Sequence, residues 1–110
     1  DIVSGMYIQR IPGTHSLELY GPGGRLTYDQ VKDNGLMEIV SCGFGCALVK
    51  GEVFREVGYP QFVYHSALDH KDTISEDTDF CHKARAKGFK IWADTSIKCA
   101  HKGTTWFNVD

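Results

Sequence analysis

The rhythm of apolar and polar residues changes several times along this chain. Ile2, Val3, Met6, Tyr7 and Ile8 predict a strand over residues 2–9. Residues 10–36 carry dense turn signals: Pro12-Gly13, Gly21-Pro22-Gly23-Gly24 and Asp33-Asn34-Gly35. Between those signals, residues 16–20 read as a short strand and residues 26–31 as a short strand or a helical turn. Residues 37–41 alternate like a strand, Gly43-Phe44-Gly45 makes a tight bend, and residues 46–50 form a further strand or the entry to a helix. Val53, Phe54 and Val57 fall on one side of a short helix over residues 51–57, which Gly58 stops. Residues 59–62 leave it in extended form, and residues 65–73 are a polar loop.

The next helix is predicted over residues 76–87. Ser75 stands at the N-cap position, Glu76 and Asp77 fit the positive end of the helix dipole, and Lys83, Arg85 and Lys87 precede the stop at Gly88. Asp77, Phe80, Cys81 and Ala84 recur at i, i+3, i+4 and i+7, which is one face. A carboxylate at the head of a core-facing stripe is costly unless a partner or a reaction uses it. The alternative is a charge that satisfies the helix terminus. Strands at residues 89–93 and 97–101 follow, then a tail that packs through Trp106 and Phe107. Trp92 reads as core. The order of elements predicts a mixed α/β fold with a helix feeding a strand, and a single domain over residues 1–110.

Composition narrows the function classes. A chain of 110 residues with 42% hydrophobic content is long enough for a modest core. The net charge of −2, with both signs interspersed, argues against a broad basic nucleic-acid surface. No apolar run approaches the roughly 20 residues of a membrane span. The abrupt opening of the chain inside a strand suggests a cut or processed piece of a longer one. The four cysteines at 42, 46, 81 and 99 read as small buried hydrophobes in a reducing, cytoplasmic setting. Two other readings stay open: a zinc site from Cys42, Cys46, Cys99 and His101, or two disulfides.

An ordered series of segments resembles a known family. It comprises Val3-Ser4-Gly5, Gly43-Phe44-Gly45-Cys46-Ala47-Leu48-Val49-Lys50 and residues 53–62. It continues with Ser75-Glu76-Asp77-Thr78-Asp79-Phe80-Cys81, Gly88-Phe89-Lys90-Ile91-Trp92-Ala93-Asp94 and Cys99-Ala100-His101. This series resembles the C-terminal half of a family-two, GT-A-type glycosyltransferase over residues 1–9 and 37–103. The resemblance implies inverting transfer of a sugar from a nucleotide diphosphate donor to a glycan or other hydroxyl acceptor. Asp77 would be the general base and Glu76 its neighbour, orienting the acceptor. His101 would help bind a divalent cation; an imidazole ligand favours manganese over magnesium. Gly43, Phe44 and Gly45 would border the acceptor, with Phe44 stacking on a sugar face, and Trp106 would stand near the cleft mouth.

The same resemblance places a nucleotide-binding half, with its own metal-gripping acidic pair, before Asp1. The literal Asp77-Thr78-Asp79 is no substitute, because residues i and i+2 of a helix point about 200° apart. The Gln-x-x-Arg-Trp signature of processive members is absent, which argues against polymer synthesis. His65, Asp69, His70 and Asp72 form a metal-compatible cluster that reads more simply as a solvated loop. Two functions compete with the enzyme fragment: a zinc-binding structural module, and a noncatalytic sugar-binding or assembly domain. Strands deprived of the missing half would be open edges, so self-association through them is expected.

Overall fold

A computed structural model describes residues 1–11, 13–66 and 73–109. Its elements are β1 (Ile2–Met6), β2 (Ser16–Gly21), β3 (Gly24–Thr27), α1 (Tyr28–Val31), β4 (Leu36–Ile39), β5 (Ser41–Cys42), β6 (Ala47–Val49), α2 (Gly51–Val57), α3 (Glu76–Ala86), β7 (Ile91–Lys98), β8 (His101–Lys102) and β9 (Trp106–Phe107). The fold is mixed α/β, with more sheet than helix.

The main sheet has the order β4-β7-β1-β6. Its centre is a parallel pair, with Ile2 opposite Ile91 and Ser4 opposite Ala93, before a register shift brings Met6 opposite Lys98. The outer strands β4 and β6 run antiparallel to their neighbours. A smaller sheet, β3-β2-β5, is antiparallel throughout. Its hairpin turns at Pro22-Gly23, with Gly21 opposite Gly24. The last two strands, β8 and β9, form a hairpin of their own.

Alternation decides which faces are buried. Ile2, Ser4 and Met6 turn one side of β1 to the core, beside Ile91 and Ala93 of β7. Leu17 and Leu19 do the same for β2. Val53 of α2 and Phe80, Cys81 and Ala84 of α3 complete that hydrophobic cluster. Phe80 is fully buried, and Phe62 stacks on it at 4.7 Å with rings 15° apart.

Both predicted helices form close to their expected bounds. Gly58 adopts φ 70° and donates to the Phe54 carbonyl at 3.1 Å, and Gly88 adopts φ 90°, the left-handed conformation that ends helices most cheaply at glycine. Ser75 holds the extended N-cap backbone, but its hydroxyl turns to Asp77 instead of a backbone amide. Three expectations change. Residues 26–31 are both strand and helical turn. The strand expected to end at 93 runs on to Lys98, because Thr95 is buried and bonds the Gly35 carbonyl through both N–H and Oγ1 at 2.9 Å. His101 then opens a separate hairpin. Trp92 is half-buried on β7 rather than in the core.

Candidate functional site

The buried acid of α3 is Asp79, not Asp77. Asp79 has 8% of its surface exposed and is enclosed by donors: the Val63 amide at 3.2 Å, His65 Nε2 at 2.9 Å and Lys83 Nζ at 2.6 Å. Burial opposes its ionisation, but the bonds from Lys83 and His65, with the Val63 amide, outweigh that and hold the carboxyl below its usual range. Asp79 therefore fastens residues 63–65 to α3. The stripe rule misplaces the buried carboxylate because apolar spacing cannot say which acid finds hydrogen-bond donors.

Asp77, two residues earlier, is half-buried. Its Oδ1 accepts from Ser75 Oγ at 2.5 Å and from the Thr78 amide at 2.9 Å. Ser75 Oγ also lies 3.1 Å from Thr78 Oγ1. The carboxylate is thus fixed at the first turn of α3, where the helix dipole favours the anion. Ser75 and Thr78 line a cleft of about 370 Å³ with Tyr20, Tyr64, Thr73 and Ile74. Two phenol rings and three hydroxyl side chains therefore line this cleft; Asp77 is not itself among its lining residues but bonds to two of them. Glu76, expected beside the base, is exposed. Asp77 and Asp79 bond different partners and share none, as the helical geometry requires.

Tyr20 brings to the cleft a polar face that the pattern of residues 10–36 leaves unassigned. Glu18 and Tyr20 alternate with the buried Leu17 and Leu19 on β2, so they share the other side. The β2–β3 register sets Arg25 opposite Tyr20. Arg25 pairs with Glu18 at 3.2 Å, donates to the Leu17 carbonyl at 3.0 Å and to the Tyr20 hydroxyl, and lies 4.7 Å from the Tyr20 ring centroid. Burial raises the Tyr20 phenol despite Arg25, and the charges of Glu18 and Asp77 add to the rise. The usable signal was the Leu-Glu-Leu-Tyr alternation before a tight glycine turn.

Tyr7 links this face to the remaining predicted residues. Its hydroxyl accepts from the Gly45 amide at 2.9 Å, and its ring meets His101 edge-on with centroids 5.2 Å apart. Burial pushes its phenol up to about 12, against the Gly45 bond, with Glu18 and Asp77 adding to the rise. The glycine turn exists to admit this ring. A Cβ on Gly43 would collide with the Tyr7 hydroxyl, and one on Gly45 would sit 2.6 Å from Tyr7 Cζ. Phe44 is packed edge-on against Phe62 and Phe80, at 5.8 and 5.6 Å, and also lines an open cleft with Gly45, Cys46 and Ile97. Trp106 stands 59% exposed on the β8–β9 hairpin, 5.6 Å from Lys102 Nζ, and is not among the cleft-lining residues.

The expected metal ligand does not gather a donor set. His101 Nδ1 is held by the Ile8 carbonyl at 2.7 Å. Among the described residues, no three His, Cys, Asp or Glu side chains converge as a metal site. These residues therefore do not fit a divalent cation on their own. The zinc quartet also separates: Cys42 is buried against Cys81, whose Sγ lies 3.9 Å from the Cys42 carbonyl, while Cys46 is a neighbour of Cys99. All four thiols are free, so neither disulfide is present. Asp69, His70 and Asp72 lie outside the described residues.

Comparison with known proteins corrects the family expectation. No family model matches the chain, and no curated protein matches it. Among solved structures, the crystal structure of A197 from the virus STIV is similar, with a TM-score of 0.65 and 20% sequence identity. The match covers 94% of this chain and 44% of that one, so this chain spans less than half of A197. At that identity the likeness shows a shared fold alone. The resemblance to a family-two, GT-A-type glycosyltransferase is overturned as an assignment, since nothing that matches carries that designation. The short motifs that suggested it are ones that turn geometry, capping and core packing produce unaided: the glycine turn admits Tyr7, and Phe80 and Cys81 fill the core.

Proposed function

We propose that this chain holds the base-bearing, acceptor-side part of an enzyme that transfers a sugar from a nucleotide diphosphate sugar to a hydroxyl group, with inversion. The observation that carries the reading is the bonding of one Asp77 oxygen to Ser75 and to the Thr78 amide, two residues that line a cleft with Tyr20 and Tyr64. Aromatic rings offer a face to the C–H side of a sugar, and hydroxyls read its polar edge. The carboxylate oxygen not engaged by Ser75 and Thr78 takes the proton of an acceptor hydroxyl. The acceptor oxygen bonds to the anomeric carbon as the bond to the diphosphate breaks on the opposite face. The donor pocket, and any manganese or magnesium that steadies the diphosphate, belong in this reading to residues outside these 110. His101 is then a packing partner of Tyr7, and Glu76 contributes charge at the helix start.

The test is acceptor-dependent nucleotide release by the full-length protein, across a panel of nucleotide sugars. Asp77→Asn should lower turnover by at least about 10²-fold with little change in melting temperature, while Glu76→Gln stays within a few-fold. Undiminished turnover in Asp77→Asn removes Asp77 as the base. Sugar binding at the cleft with no release from any donor would instead favour the noncatalytic sugar-binding domain, which the same tyrosine pair supports.

A further inference from the structure

Two flanking segments approach each other over a glycine on the outer face of the main sheet. Gly5 is buried in the central strand β1 without a side chain. A Cβ there would lie 3.0 Å from Cys46 Sγ and 2.8 Å from Ile97 Cγ2, so both side chains occupy the space that Gly5 leaves free. The Cys46 backbone is pinned on one side of β1, its carbonyl accepting from the Gly5 amide at 3.0 Å. The Cys99 backbone is pinned on the other, its amide donating to the Met6 carbonyl at 2.8 Å. Cys99 lies two residues beyond Ile97, just past the end of β7 at Lys98. From these geometries we propose that Cys46 and Cys99 form a two-thiolate site for a soft monovalent cation, Cu(I), bound across Gly5.

The ligand chemistry selects the ion. Zinc wants four protein ligands at a structural site, and among the described residues no third His, Cys, Asp or Glu joins this pair. Soft thiolates favour Cu(I), which is content with two of them. Two segments on opposite sides of one strand are separated by about two strand spacings, roughly 10 Å. Direct S–S bonding prefers closer backbones, whereas an interposed ion lengthens the bridge. The two thiols are neighbours: burial raises Cys99, and Cys46 beside it raises it further. Access comes through an open apolar cleft of about 430 Å³, lined by Val3, Cys46, Leu48 and Ile97. Binding forms two Cu–S bonds and releases both thiol protons to solvent, with no change of oxidation state. The buried Cys42–Cys81 pair, fully enclosed, is a built-in control.

The 110-residue chain, reduced and kept anaerobic, would be titrated with Cu(I) against the chromophoric competitor bicinchoninate. One Cu(I) per chain is expected. Cys46→Ser and Cys99→Ser should each weaken binding by at least about 100-fold, and Cys81→Ala should leave it unchanged. In the unaltered chain, bound Cu(I) should shield Cys46 and Cys99 from alkylation by N-ethylmaleimide, read by peptide mass spectrometry, which needs no variant to fold. Absence of stoichiometric binding, full affinity in both serine variants, loss in Cys81→Ala, or unshielded Cys46 and Cys99 would each overturn the site.

Discussion

Tyr7 and Gly43 compete for one space, and that contest can be measured. A methyl group on Gly43 meets the Tyr7 hydroxyl first, with Glu18 Cβ next at 3.2 Å and Tyr7 Cζ at 3.4 Å. Gly43→Ala should therefore cost about 1–3 kcal/mol by overpacking, and Tyr7→Phe in the same chain should recover part of it, because the hydroxyl makes the tightest of these contacts. Gly45→Ala presses on Cζ at 2.6 Å and should show no such rescue. Urea denaturation of the single and double variants gives the coupling directly. Asp79 makes a second prediction at this scale. Its carboxyl is lower in the folded chain than the ordinary 3.8. The stability it contributes is present above the unfolded value and disappears as pH falls through the folded one. Asp79→Asn should cost about 1–3 kcal/mol near neutrality, and the gap to the parent chain should close as melts are repeated at pH 4, 3 and 2. A constant gap would mean that Asp79 acts through shape instead of charge.

At the level of elements, legibility followed how local the cause was. Helix α2 was read with its observed bounds and α3 within a residue, because glycine stops, terminal charges and a 3.6-residue period are written in adjacent positions. Gly88→Ala tests that reading. It places a side chain at φ 90° and should cost about 1–2 kcal/mol, visible as a lower melting temperature without loss of sheet content. The β2–β3 hairpin was half-legible: Pro22-Gly23 announced the turn, but nothing local said that the register would set Arg25 opposite Tyr20. The extension of β7 through Asp94, Thr95 and Ser96 was hidden, because those residues look like a loop until the Gly35 carbonyl is supplied from 60 positions away. The candidate site behaved likewise. Asp77 at a helix start was readable, whereas Tyr7, Glu18 and Tyr20 join its surroundings only through the packing of β1 and β2. The packing of Phe44 on Phe62 and Phe80 is likewise hidden in the sequence, because those rings come from segments far along the chain.

For the molecule as a whole, β4 and β6 are the outer strands of the main sheet among the described residues. Leu48 on β6 is 78% exposed and Leu36 on β4 is 60% exposed. Such edges invite pairing with another chain. The expected outcome is concentration-dependent self-association in sedimentation equilibrium, reduced in Leu48→Lys. A monomer across the whole concentration range would remove the edge as an interface. Among the described residues, no helix is long and apolar enough to cross a membrane. The parallel contact of β1 with β7 has a kinetic corollary. Ile2 must find Ile91, so the central seam of the sheet closes only after nearly ninety intervening positions have been gathered in. Loop-closure entropy opposes that encounter, and topologies of this sort assemble slowly. During synthesis β1 must wait for its parallel neighbour, and until the ribosome releases β7 its unsatisfied hydrogen-bonding side is what a chaperone, or a second nascent copy, would meet.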